Sequence, residues 1–251
     1  MESADIIRQA VSSVTELRLE TARSPDLLAA VGSVKGFQAE RFRASYADLL
    51  ASEAYGPATR FFLNELYSNK DFTERDAQFS RIAGALQTLF PKQVVKTAVS
   101  LALLHRLTEE LDHAMGRALL DMPLRGQPNV DYVRAWNTVG RHEDREQQLQ
   151  TVLLVGEELD RLTRMPGLRL MLRMMRRPAH AAGLGALQQF LEAGFDTFAT
   201  MSGKQQLTKE FLEIIKLRES ELIDALFSIN TKQDDEAIAQ QLPNSLRSSN
   251  R

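Results

Sequence analysis

The chain has 251 residues, 43% hydrophobic and 25% charged, and its 31 basic side chains against 33 acidic ones leave a formal net charge of -2; this fits a folded chain with a sizeable core and argues against a nucleic-acid partner, which calls for a basic excess. The absence of cysteine excludes disulfides, thiolate nucleophiles and cysteine-held metals and fits a reducing compartment. Acids at Glu2 and Asp5 stand where a signal peptide needs positive charge, and no run approaches the ~20 apolar residues of a membrane span, so a cytoplasmic protein without a transmembrane segment is expected.

Apolar residues recur at spacings of three and four almost throughout, and alternating strand patterns are nearly absent. The predicted fold is all-α: a single-domain antiparallel helical bundle of about eight to ten helices over residues 1–230, with a polar, flexible tail over 231–251. The first helix runs from about Asp5 to Arg23, where Ser24-Pro25 stops it. A short helix over Asp26 to Val31 and a long one over about Lys35 to Glu53 follow. Gly56-Pro57 breaks the chain before a helix over Ala58 to Tyr67. Asp71 and Glu74 then suggest a capping box in which each end of the first turn accepts from the other's backbone, opening a helix to about Phe90. Pro91 starts a long helix to about Asp121. Pro123, Gly126 and Pro128 mark the clearest loop, and a second long helix is predicted from about Val130 to Arg164. Pro166-Gly167 and Pro178 punctuate shorter helices, and Ser202-Gly203 leads into a last one, about Lys204 to Asn230.

If the two long helices fold back across the 122–129 loop, residues whose numbers sum to about 251 lie level, setting Glu109 opposite His142 and His105 opposite Glu146. The polar run from Arg141 to Gln148 either meets solvent or lines a buried polar site. On the facing helix His105, Glu109 and His113 follow at spacings of four. Glu-x-x-x-His pairs supply ligands in heme-oxygenase-like diiron proteins, so Glu65, His105, Glu109, His113, His142 and Glu143 form a candidate iron site for oxygen activation. Against it, helical rotation of about 100° per residue carries His105, Glu109 and His113 progressively away from the apolar stripe toward solvent. Asp112 lies nearer the stripe and reads as a satisfied buried carboxylate.

The stretch from Arg161 to His180 contains six arginines and no acid, among Leu168, Leu170, Met171, Leu172, Met174 and Met175. Arg164, Arg169, Arg173, Arg176 and Arg177 are candidates for binding an anionic ligand or a protein partner, because guanidinium groups fork onto carboxylates and phosphates and methionine gives an adaptable apolar surface. An amphipathic helix whose arginines pair with acids such as Glu157, Glu158 or Asp160 produces the same pattern. The glycines from Gly183 to Gly194 suggest close helix approach, since glycine within a helix costs about 1 kcal/mol against alanine.

The pattern Phe61-Phe62-Leu63-x-x-Leu66-Tyr67, then Asp71, Arg75-Asp76 and Phe79, resembles a segment of an uncharacterised bacterial all-helical family, as does Pro178-Ala179-x-Ala181-x-Gly183-Leu184 with Leu187, Phe190, Leu191, Glu192, Gly194 and Phe195. The resemblance implies an all-helical unit and carries over no activity and no site residues. Phosphate-loop, zincin and nucleophile-elbow motifs are missing. The reading placed first is a non-enzymatic binding protein using residues 161–177, with no cofactor. The alternatives are the diiron oxidase and a homo-oligomeric scaffold joined through Phe211, Ile214, Ile215, Leu222 and Leu226.

Overall fold

A computed structural model describes residues 2–66, 70–202 and 205–247. They form an all-α bundle without a strand among the described residues. The helices are α1 (Ser3–Ala22), α2 (Pro25–Ser45), α3 (Ala47–Ala51), α4 (Gly56–Glu65), α5 (Thr73–Leu89), α6 (Lys92–Asp121), α7 (Pro128–Val139), α8 (His142–Thr163), α9 (Leu168–Ala181), α10 (Gly185–Ser202), α11 (Gln205–Ser228), α12 (Asp235–Gln241) and α13 (Asn244–Arg247). No described helix is long and apolar enough to cross a membrane. Met1, Tyr67 of the aromatic segment, the Gly203-Lys204 junction and tail residues 248–251 lie outside the described residues.

Helix α6 is the axis. It packs against α1 and α2 on one side and against α7 and α8 on the other, while α8 carries α10 and α11 on its far flank. The α2–α6 crossing is close because Gly116 has no side chain: a Cβ there would stand 2.5 Å from Val31 Cγ2 and 3.1 Å from the Val31 backbone nitrogen. The main core unites Phe42, Met115, Phe198, Phe211 and Leu226 from four helices with Tyr46 at the α2–α3 junction, and a smaller cluster around Ile7, Ala83 and Ala98 seats α1 and α5 on the start of α6.

Local chemistry corrects several predicted boundaries. Ser24 caps α2 by accepting from the Leu27 amide, and Pro25 takes the first helical position, where its missing N–H costs nothing. From there α2 runs unbroken to Ser45, joining the two helices predicted over 26–53. Asp71 accepts from the Thr73 amide at 2.9 Å and α5 starts at Thr73, so the capping box with Glu74 does not form; Glu74 accepts instead from Gln78. The single helix predicted over Val130 to Arg164 is two helices. Gly140 and Arg141 both take positive φ, 63° and 58°, which ends α7 and restarts the chain as α8.

The expected fold-back is present. Arg141 Nη2 lies 3.6 Å from Glu110 Oε2, and Gln148 donates to Thr108 Oγ1 at 2.8 Å. The tail reading is corrected where the chain is described: α12 and α13 seat Ile238, Leu242 and Leu246 in the main core, and Asn129 Nδ2 donates to the Leu246 carbonyl. Three apolar residues spaced four apart (238, 242, 246) give an otherwise polar segment a face to bury. The apolar face of α11 offered for self-association is also used internally. Phe211, Ile215, Leu222 and Leu226 are buried in this chain, and Ile214 is half-buried against the same core.

Candidate functional site

A cavity of about 310 Å³ opens inside the bundle. One end is apolar, walled by Phe90 after α5, Ala98 and Leu101 of α6, Val152 of α8, Leu172 of α9 and Leu191 of α10. The other end is charged. There α2, α6, α7, α8 and α11 present Lys35, Gln38, Arg41, Glu109, Asp112, Tyr132, Trp136, Arg145 and Glu219.

Most of these groups are buried, and Lys35 and Gln38 half-buried, because α2, α7 and α8 pack on α6 and α11 packs on α8; burial without pairing is costly. Lys35 Nζ donates to both Glu109 oxygens at 2.8 Å, and Arg18 Nη2 reaches Glu109 Oε1 at 3.3 Å. Burial alone would raise the Glu109 carboxyl; the charges of Lys35 and Arg18 outweigh it and hold the group below its ordinary range. Arg41 of α2 pairs with Glu219 of α11, which also accepts from the Tyr46 hydroxyl at 2.8 Å. Asp112 is 3% exposed and accepts from Gln38 Nε2 at 3.1 Å. Burial dominates there, and with Glu109 nearby it pushes the Asp112 carboxyl up to about 6 against the pull of Lys35 and Arg145. The buried Arg145 guanidinium lies 4.0 Å from the centre of the Trp136 ring. The indole N–H of Trp136 is buried and meets no acceptor among the described residues.

A second polar group lines the cavity wall toward α5. Asp76 accepts from His105 Nε2 at 2.8 Å and from Arg18 Nη1 at 2.9 Å. Burial would raise its carboxyl, but the hydrogen bond and charge of His105, with Arg18 and Arg75, hold it below the ordinary value. Arg75 lies between the Phe72 and Phe190 rings, 3.9 and 4.6 Å from their centres, and donates to Glu65 at 2.9 Å. Burial lowers the Arg75 pKa and raises that of Glu65.

The six residues of the iron reading do not converge. Glu65 faces Arg75, and Glu109 faces Lys35 and Arg18, so cations stand where a metal would. His113 turns to Thr21 and Glu20 on α1. The break at Gly140-Arg141 swings His142 against Phe227, with 4.6 Å between ring centres, and leaves Glu143 in solvent. No three His, Asp or Glu among the described residues stand close enough to hold a metal ion. Of the 141–148 run, Arg145 is the buried member.

The arginines of residues 161–177 do not converge on one point either. Arg161 pairs with Glu157 and Glu158, Arg164 with Asp160, Arg169 with Asp196, and Arg176 with Glu192 through both carboxylate oxygens. Arg173 and Arg177 are exposed on the outer face of α9 beside Leu170 and Met174, which are 63% and 68% exposed. The inner face of the same helix, Leu168, Leu172, Met175 and Ala179, lines the cavity. Glycines with positive φ bracket α9 at Gly167 and Gly183. Gly194 gives the close approach expected of this region, admitting the Phe61 ring where a Cβ would stand 3.1 Å from Cζ.

A family described as a domain of unknown function (DUF8198) matches residues 17–233. The chain belongs to this family. The DUF8198 match takes in every residue that lines the cavity except Val11 of α1. No curated protein and no solved structure matches the chain.

Proposed function

We propose that the chain is a non-enzymatic binding protein that holds an elongated, mostly apolar small molecule inside the bundle, with the molecule's polar end inward. The observation that carries this reading is the continuity of one cavity from apolar walls on α6, α8, α9 and α10 to a buried charged end. Its volume of about 310 Å³ falls at the lower end of small-molecule sites, and an apolar lining with a few placed polar groups is their usual make-up. At the charged end Lys35 is engaged with Glu109 and Arg41 with Glu219. Such pairing favours holding a ligand over transferring protons or attacking one. The cysteine-free composition supports a cytoplasmic setting.

Titration with the polarity-sensitive dye Nile red tests the reading. Saturable, blue-shifted emission is expected from the wild type and should be lost in Leu172→Trp, which fills the apolar end, at unchanged helicity. Emission that never saturates, or that survives the substitution, overturns it.

One observation favours a second reading, in which the outer face of α9 docks an acidic protein partner. Arg173 and Arg177 have no ion-pair partner among the described residues and stand beside exposed Leu170 and Met174. Replacing both arginines by glutamate should abolish binding of a partner captured by the wild type, and undiminished capture would remove this face from consideration.

A further inference from the structure

We propose that the outer face of α9 docks on an anionic lipid bilayer, and that the molecule held in the cavity passes between bilayer and bundle beneath this helix. This rests on the cavity-binding reading above and adds where the cavity is filled.

Helix α9 is apolar on two sides. With a turn of about 100° per residue, Leu168, Leu172 and Ala179 fall on one side and line the cavity. Leu170, Arg173, Met174 and Arg177, at i, i+3, i+4 and i+7, fall on the opposite side, and all four are exposed. An exposed leucine or methionine is ordinary when it stands singly. Two of them in one stripe with two arginines make a face of the kind that lies in a lipid headgroup layer.

The charge of this face calls for a negative complement. No acid occurs between Arg161 and Leu191. Arg169 meets Asp196, and Arg176 takes Glu192 through both carboxylate oxygens. Glu192 also senses the Arg173 charge but is already engaged, and Arg173 and Arg177 have no ion-pair partner among the described residues. Arg81 is exposed beside the end of α9, where it donates to the Ala182 and Gly183 carbonyls. The chain as a whole carries a formal charge of -2, so the positive face is local. Guanidinium groups fork onto phosphate oxygens, and the headgroups of an anionic bilayer present them densely.

A bilayer matches this face better than a folded acidic protein does. Residues 168–181 contain no Phe, Tyr or Trp, whereas protein interfaces are anchored chiefly by Trp, Tyr and Arg in packed pockets. Leucine and methionine suit the acyl boundary, and long arginines reach from there to the headgroups. An elongated apolar ligand also dissolves in lipid and barely in water, which places its supply at a membrane surface.

The same helix is lightly anchored over the cavity. Its buried residues are Leu168 and Ala179, one toward each end, and glycines of positive φ stand before and after it. Its ion pairs to α10 are on the surface, where such pairs contribute little. Lipid phosphates compete for Arg169 and Arg176, so docking loosens the helix above the apolar end.

Co-sedimentation of the full chain with vesicles of phosphatidylcholine, alone or mixed with phosphatidylserine, tests the docking. Binding to the mixed vesicles should be about ten-fold tighter or more, since each arginine near an anionic surface adds roughly a factor of five. Arg173→Gln with Arg177→Gln should remove that preference, and Leu170→Gln with Met174→Gln should weaken binding to both kinds of vesicle, each at unchanged helicity. Nile red loaded on the chain should pass several-fold faster into mixed vesicles carrying a quenching lipid than into neutral ones. Absence of vesicle binding, or vesicle binding untouched by both double variants, overturns the docking while the cavity reading stands; capture of an acidic protein by a chain that ignores vesicles would do the same. Equal transfer rates to the two kinds of vesicle overturn the exchange role. If Nile red does not bind the chain, the cavity reading itself fails, whatever the vesicles show.

Discussion

Arg41 on α2 and Glu219 on α11 form an ion pair in which each residue is 6% exposed, joining helices whose paired residues lie 178 positions apart in the chain. Removing one partner of a buried pair strands the other charge, which typically costs 3–5 kcal/mol, whereas replacing both with apolar groups of similar volume costs much less. Glu219→Ala should therefore destabilise the chain by about 3 kcal/mol and lower Tm by on the order of 10 °C. Arg41→Met combined with Glu219→Leu should recover most of that loss. Thermal unfolding by circular dichroism measures both, and an additive double variant would show that the pair is not coupled.

Asp112 makes stability depend on pH in a particular direction. Its folded pKa, about 6, lies above the ordinary 3.8, so folding favours the protonated form. Its stabilising contribution is complete below the unfolded value and is lost as pH rises from about 4 to above 6, amounting to about 3 kcal/mol. Asp112→Asn should remove this dependence and become more stable relative to wild type as pH rises from 4 to 7. Urea denaturation at several pH values checks it; a difference that stays flat with pH would refute the shift.

Gly116 admits no side chain. Alanine there would meet the Val31 backbone and Cγ2, and overpacking of this kind costs about 1–3 kcal/mol. Gly156→Ala, where the Cβ would meet the flexible end of Leu212, should cost less. The measurement is the denaturation midpoint of each variant.

The C-terminal segment contributes to the core. Ile238 is fully buried between neighbours of the main cluster, so Ile238→Ala should cost about 2–5 kcal/mol. Truncation after Thr231 should lower Tm by at least as much. A truncated chain as stable as the full one would show that α12 and α13 are dispensable.

The sequence showed the helical class, because apolar spacing of three and four is imposed on any helix that must bury one face. It also located the fold-back across residues 122–129 through its prolines, and the level pairing of Glu110 with Arg141 follows from it. Asp112 was legible as a buried carboxylate from its place near the apolar stripe. The two helices over residues 130–164 were not separable, because Gly140 inside a long polar and apolar pattern carries no sign of the positive φ that it and Arg141 adopt. The tail escaped notice because Ile238, Leu242 and Leu246 are three apolar residues among many polar ones.

Helical rotation predicted that His105, Glu109 and His113 drift progressively toward solvent, yet their side chains are 20%, 10% and 14% exposed, because rotation says nothing of which neighbour arrives. Lys35 and Arg18 come to Glu109 from α2 and α1, Asp76 comes to His105 from α5, and each is fixed by how three helices meet on α6. The cavity belongs to tertiary structure alone. Leu101, Val152, Leu172 and Leu191 carry the same periodicity whether they close on one another or line an empty space, because hydrophobic spacing records which face turns inward and not how completely that interior is filled.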